Sequence, residues 1–204
     1  MRLFTIGHSN HTAEMLQTLL RRPGVEAVCD VRSHPYSRRH PQFGRERLRD
    51  ELQAAGIGYV FLGGELGGRS SDPADYVNGR IRYERVALSS AFCAGLARLI
   101  EEGSSRAVAL LCAENDPLRC HRTLLVAREL VREGVMVDHI LSDGRIESQD
   151  DAESRLLREL GLSAQDMFRS RSEILEEAYR RRSEEVGYQR QESRERSTTP
   201  DGSE

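Results

Sequence analysis

Short apolar runs alternate along the chain with longer stretches whose apolar residues recur every three to four positions. Residues 3–6, 25–31, 59–62, 107–111 and 135–141 have the length and continuity of strands buried on both faces. Between them, Met15, Leu16, Leu19 and Leu20 give one helix its inner face, with Ser9, Asn10 or Thr12 as its cap and Pro23-Gly24 as its stop. Further helices are predicted over 45–55, over 90–102 with Phe92, Leu96, Leu99 and Ile100 inward, over 120–133 and over 152–160. Alternation of this kind predicts an α/β fold: a three-layer sandwich with a central, mostly parallel five-stranded sheet and helices on both faces. Residues 70–88 lack periodicity and read as a lid or insertion.

After Gly161 the character changes, and residues 169–204 are rich in Arg, Glu and Ser. The expected division is an α/β domain over 1–160 and a charged, partly helical or disordered tail over 161–204.

The composition, 38% hydrophobic and 31% charged with net charge -3, describes a soluble domain without a global pull toward polyanions or membranes. Lysine is absent, so Schiff-base lysine chemistry and a Walker lysine are excluded. Four cysteines, Cys29, Cys93, Cys112 and Cys120, do not make a secreted disulfide framework. With no secretory pattern and no span-length apolar run, the expected compartment is the cytoplasm.

Ligands of parallel sheets sit at the carboxyl ends of strands, beside helix N-termini. Four such ends carry polar or glycine-rich turns: Gly7, His8 and Ser9; Asp30, Arg32, Pro35, Ser37 and Arg38; Gly63, Gly64, Gly67 and Gly68; and Cys112 with Glu114. The last leads into Cys120, His121 and Arg122 at a helix start. Cys112 is a nucleophile if a nearby cation or helix end favours its thiolate, and a small buried hydrophobe otherwise. Glu114 suits general acid/base work, or contact with a hydroxyl or ring N–H. His121 can shuttle protons. Arg32, Arg38 and Arg122 can grip phosphate, although Arg122 could equally anchor the loop to Asp30. Zinc on Cys112, Glu114, Cys120 and His121 is the lesser reading, because adjacent ligands at a helix start are awkward; no cofactor is expected.

These motifs, GHS at Gly7–Ser9, DVR at Asp30–Arg32 with Pro35 and Ser37-Arg38, LGG at Leu62–Gly64 and Leu66–Gly68, C-x-E at Cys112 and C-H-R at Cys120, resemble the DUF488 family. The resemblance spans roughly the first 145 residues and implies a compact α/β domain whose motif residues gather in one pocket, without supplying a substrate. A looser likeness joins the early DVR strand and the later strand-end cysteine to rhodanese sulfurtransferases. Here the loop after Cys112 holds Glu114, Asp116 and Pro117, a poor cradle for an anion, and Leu118 stands at the arginine position of a C-x5-R phosphatase motif.

The leading expectation is an enzyme acting on a phosphorylated, nucleotide-like small molecule or a nucleic-acid base, with Glu114, Cys112 and His121 as catalytic groups. One rival is a rhodanese-like sulfur or acyl transferase through Cys112, and another a non-catalytic nucleotide sensor. The arginine-rich loop over 32–45, with Tyr36 and Phe43 interleaved, leaves nucleic acid open as a partner.

Overall fold

The computed structural model describes residues 1–36, 38–163 and 168–190. In chain order its elements are β1 (Arg2–Gly7), α1 (Ala13–Arg21), β2 (Ala27–Asp30), α2 (Arg45–Ala54), β3 (Gly58–Phe61), β4 (Tyr76–Val77), β5 (Arg80–Ile81), α3 (Tyr83–Val86) and α4 (Ser90–Ser105). There follow β6 (Val108–Cys112), a π-helix (Arg122–Ala127), α5 (Arg128–Arg132), β7 (Met136–Ile140), β8 (Ile146–Ser148), α6 (Gln149–Glu159) and α7 (Arg171–Val186).

The main sheet runs β3-β2-β6-β1-β7-β8 and is parallel except for β8. It therefore has six strands where the apolar runs give five. Ile146–Ser148 is too short and polar to stand out, yet it pairs antiparallel with β7. Side chains alternate across the sheet as strand geometry requires. Leu3, Ala27, Cys29, Val108, Leu110 and Val137 meet α4, the π-helix, α6 and α7 on one face. Ile6, Val28, Ala109, Leu111 and Ile140 meet Leu16, Leu19, Leu20, Leu48 and Leu52 of α1 and α2 on the other. This is the three-layer sandwich.

Three local differences bear on the site. The helix expected over 120–133 opens as a π-helix with all six residues buried, and only then continues as α5. Such wide turns are frequent at functional sites, and apolar spacing alone does not distinguish them. Residues 70–88 hold the small antiparallel ribbon β4–β5 and the short α3, with Ile81, Tyr83 and Val86 in the core.

The packing also carries on past residue 160. A capping box of Ser170 and Glu173 opens α7, and Ile174, Ala178 and Tyr179 enter the same core as the sheet. A buried polar chain ties it down. Thr5 Oγ1 donates to His139 Nδ1 (2.8 Å), His139 Nε2–H to Gln149 Oε1 (2.8 Å), Gln149 Nε2 to the Tyr179 hydroxyl (2.6 Å), and that hydroxyl to Glu153 (2.7 Å). The chain then lies along the ribbon, with Ile81 N–H on the Tyr188 carbonyl and Arg190 N–H on that of Gly79. Of the tail expected to be partly helical or disordered, residues 164–167 and 191–204 lie outside the described residues.

Candidate functional site

β1 and β6 stay together beyond their ladder: the N–H groups of His8 and Ser9 donate to the carbonyls of Cys112 and Ala113, both at 2.9 Å. Ser9 takes a left-handed backbone (φ 46°), a conformation that costs of order 1 kcal/mol outside glycine. Gly7 is there because the loop after Cys112 lies directly on it; a Cβ would stand 1.7 Å from the Glu114 carbonyl oxygen. Arg122, fully buried, holds that loop from the other side, donating Nη1 to the Glu114 carbonyl (2.5 Å) and Nη2 to that of Asn115 (2.9 Å).

The loop folds Cys112, Cys120 and His121 together, with both Sγ atoms and one ring nitrogen within 4.8 Å of one another. His121 Nδ1 lies 3.6 Å from Cys112 Sγ and 3.8 Å from Cys120 Sγ. Its Nε2–H donates to the Val31 carbonyl at 2.9 Å, a tautomer assigned from that bond, which turns Nδ1 to the sulfurs. Cys112 is held well below the ordinary thiol range by the hydrogen bond from Cys120, and by the charge and hydrogen bond of His121 with Arg122 behind; burial opposes this and loses. Cys120 is driven the other way, by burial and by sharing its proton with Cys112. His121 is raised: burial lowers it, but the Cys112 thiolate and the Val31 carbonyl outweigh burial. Together these directions favour a Cys112 thiolate paired with a doubly protonated His121 ring, Nδ1–H toward sulfur and Nε2–H toward Val31, while Cys120 keeps its proton.

These groups form the floor of a cleft with two confluent lobes. The lobe over Cys112, about 220 Å³, is walled by Arg69, Tyr83, Arg119, Val186 and Tyr188. The second, about 550 Å³, is walled by His8, Ser9, Asn10, Tyr36, Arg39 and His40. Arg32, His34, Arg69, Ala113 and Glu114 belong to both. Among the described residues, four arginines thus face the cleft against the single carboxylate of Glu114. Arg69 lies over the Tyr188 ring, 4.5 Å from its centre. His8 stacks on Phe43 with ring centres 4.3 Å apart, and burial, helped by Arg32, pushes its pKa down to about 4, so it is neutral at neutral pH.

Not every motif residue faces this space. Asp30 is buried beneath it, accepting from Arg32 Nε (2.8 Å) and Nη2 (2.6 Å) and from the Tyr59 hydroxyl (2.7 Å). Arg32 also donates to the Phe43 carbonyl, so although it lines the cleft, much of its donor fork is committed inward. Asp30 thus anchors Arg32, where the sequence also allowed Arg122. Pro35 lies aside, its carbonyl accepting from Arg45 N–H at the start of α2. Arg38 is exposed and outside both lobes, and Ser37 lies outside the described residues.

The glycine motifs let chain approach chain. A Cβ at Gly63 would lie 2.0 Å from the Arg32 carbonyl, one at Gly67 2.3 Å from Ser33 Oγ, and one at Gly68 2.7 Å from His121 Cγ, whereas Gly64 faces open space. Of these only Gly68 lines the cleft. Arg69, directly after the second glycine pair, carries a readable sequence signal; Tyr83, Val186 and Tyr188 have none and arrive through tertiary packing.

The family model for "Domain of unknown function DUF488" matches residues 11–128. The chain belongs to the DUF488 family. No curated protein matches it, and no solved structure does. In this DUF488 chain the matched span holds Asp30, Arg32, Gly63–Gly68, Cys112, Glu114 and Cys120–Arg122, while Gly7–Ser9 and the wall from Val186 and Tyr188 lie outside it.

Cys112, Cys120 and His121 are donors that a borderline-soft ion such as zinc accepts, and Glu114 is not among the grouped atoms. Loading such an ion needs the Cys120 proton to leave. No helix among the described residues is long and apolar enough to cross a membrane.

Proposed function

We propose that this chain is a thiol-dependent acyl transferase or hydrolase acting on a phosphorylated, nucleotide-like small molecule, with Cys112 as nucleophile and His121 as its acid/base partner. The observation that carries the reading is the line from Cys112 Sγ through His121 Nδ1 (3.6 Å) and Nε2 to the Val31 carbonyl (2.9 Å), at the floor of an open cleft. Nucleophile, base and orienting group in sequence is the arrangement that activates a cysteine.

In the proposed step the Cys112 thiolate adds to the acyl carbon, and the carbonyl electron pair moves onto oxygen. When that pair returns, the leaving group departs and takes the proton from His121 Nδ1, leaving a thioester on Cys112. Water or another acceptor then gives its proton to the now neutral His121 as it attacks the thioester, and the thiolate is regenerated. Arg39, Arg69 and Arg119 supply donors for a phosphate, and Glu114, on the wall between the lobes, suits a hydroxyl or ring N–H. This moves the central role from Glu114 to Cys112, because Glu114 is exposed at the rim while the thiol sits with a fixed imidazole.

A small molecule fits better than a polynucleotide. Arg32 is buried in its ion pair with Asp30, which removes one charge from the basic loop, and Arg45 is drawn onto the Phe61 ring at 3.9 Å.

The test is intact-mass analysis after incubation with chromogenic carboxylic esters, neutral and phosphate-bearing. The expected result is an acyl adduct on Cys112 that is absent from Cys112→Ser and forms faster with the phosphate-bearing ester. Stoichiometric zinc that must be chelated before Cys112 reacts, or binding of a nucleotide with no adduct from any ester, would overturn the reading in favour of a metal centre or a sensor.

A further inference from the structure

The thioester chemistry needs one thiol, and the cleft holds two. Cys120 lies against Cys112 with their sulfurs within 4.8 Å, both line the same lobe, and His121 Nδ1 reaches both. The other two cysteines are placed differently: Cys29 is buried inside the sheet and Cys93 is exposed on α4.

We propose that Cys120 is a resolving thiol: a hydroperoxide oxidises Cys112, and Cys120 converts the product to an intramolecular Cys112–Cys120 disulfide that closes the site reversibly. This rests on the reading of Cys112 as the reactive thiol. In the first step the Cys112 thiolate attacks the terminal peroxide oxygen. The O–O bond breaks, Cys112 becomes a sulfenic acid, and the alkoxide leaves as alcohol with the His121 proton. In the second, neutral His121 takes the Cys120 proton and the Cys120 sulfur attacks the Cys112 sulfur. The departing hydroxide recovers that proton as water. Overall, two thiols and one hydroperoxide give one disulfide, one alcohol and one water.

The geometry allows it. A disulfide brings the sulfurs to about 2.05 Å, and rotating one cysteine between staggered χ1 wells moves its Sγ by about 3 Å. The rotation is a side-chain movement, so it does not require the loop that Arg122 holds to shift.

The experiment is stoichiometric hydrogen peroxide on the full chain in a Cys93→Ser background, followed by non-reducing tryptic mapping. Cleavage after Arg106, Arg119 and Arg122 puts Cys112 and Cys120 on separate peptides. The expected result is a linked peptide pair, a mass loss of two hydrogens, loss of labelling at both thiols, and full recovery with dithiothreitol. Cys120→Ser retains a donor to Cys112 but cannot resolve, so Cys112 should stop as a dimedone-trappable sulfenic acid. Wild-type Cys112 that labels rapidly yet proceeds to sulfinic acid without a linked peptide overturns this inference and leaves the thiol function standing. Cys112 that neither labels rapidly nor oxidises overturns both.

Discussion

Gly68 stands where His121 leaves no room for a side chain: a Cβ there would lie 2.7 Å from the imidazole Cγ and 2.9 Å from Nδ1. The second glycine pair of the LGGELGG stretch therefore sets the orientation of the ring that faces Cys112. Gly68→Ala should push the ring off the Val31 carbonyl and weaken its support of the thiolate. Alkylation of Cys112 at neutral pH should slow by about tenfold for each pKa unit regained, with the thermal midpoint changing less. Labelling kinetics beside a melting curve separate the two effects.

Gly7→Ala is expected to act on stability. The new methyl would stand 1.7 Å from the Glu114 carbonyl, which is backbone and cannot swing away. Overpacking of this kind costs about 3 kcal/mol, and the urea midpoint should fall accordingly. The same change should release the loop that carries Cys112.

The strand ends were readable because each joins an unbroken apolar run to a polar turn, as Ile6 does to His8 and Leu111 to Glu114. Their convergence follows from parallel topology alone. What each glycine does was not readable: in sequence Gly63 and Gly67 belong to a glycine-rich turn suited to approach a ligand, but only the fold brings the Arg32 carbonyl and Ser33 against them. The charge spacing of the tail did predict a helix, but not the docking of α7, because its inward residues Ile174, Ala178 and Tyr179 are few among charged neighbours. Its docking depends on partners such as Gln149 that lie far away in sequence.

Asp30 and Arg32 form a buried pair beneath the cleft, and removing one partner strands the other. Arg32→Ala should cost about 3–5 kcal/mol, leaving the Asp30 carboxylate with the Tyr59 hydroxyl and the residue 32 N–H as its remaining donors. Chemical denaturation checks this. A loss below 1 kcal/mol would mean that the pair is solvated.

His139 is buried between Thr5 and Gln149, and burial pushes its pKa down to about 3; His8 is lowered to about 4. Both are neutral in the fold, while in the unfolded chain they take up protons below about 6.5. The unfolded state thus binds more protons in this window, and stability rises with pH there. It should fall as pH drops from about 6.5 through 4, reaching its limit for His139 near 3. Urea midpoints across that range should show a shallower slope in His139→Gln, which cannot titrate.

Tyr179→Phe removes the hydroxyl that joins Gln149 to Glu153. A cost of about 1–2 kcal/mol is expected. Hydrogen exchange should rise in α7 and at the Tyr188 wall of the cleft more than in the sheet. Uniform exchange would show that the C-terminal helix does not open separately.

The most direct test of the account is the pH dependence of iodoacetamide labelling at Cys112, followed on its own tryptic peptide so that exposed Cys93 does not interfere. The account predicts rapid labelling that stays flat through neutral pH and declines only in acid, and that becomes slow at neutral pH in His121→Ala. Labelling that climbs with a midpoint near the free-cysteine value of about 8.5, unchanged by the His121 substitution, would contradict it.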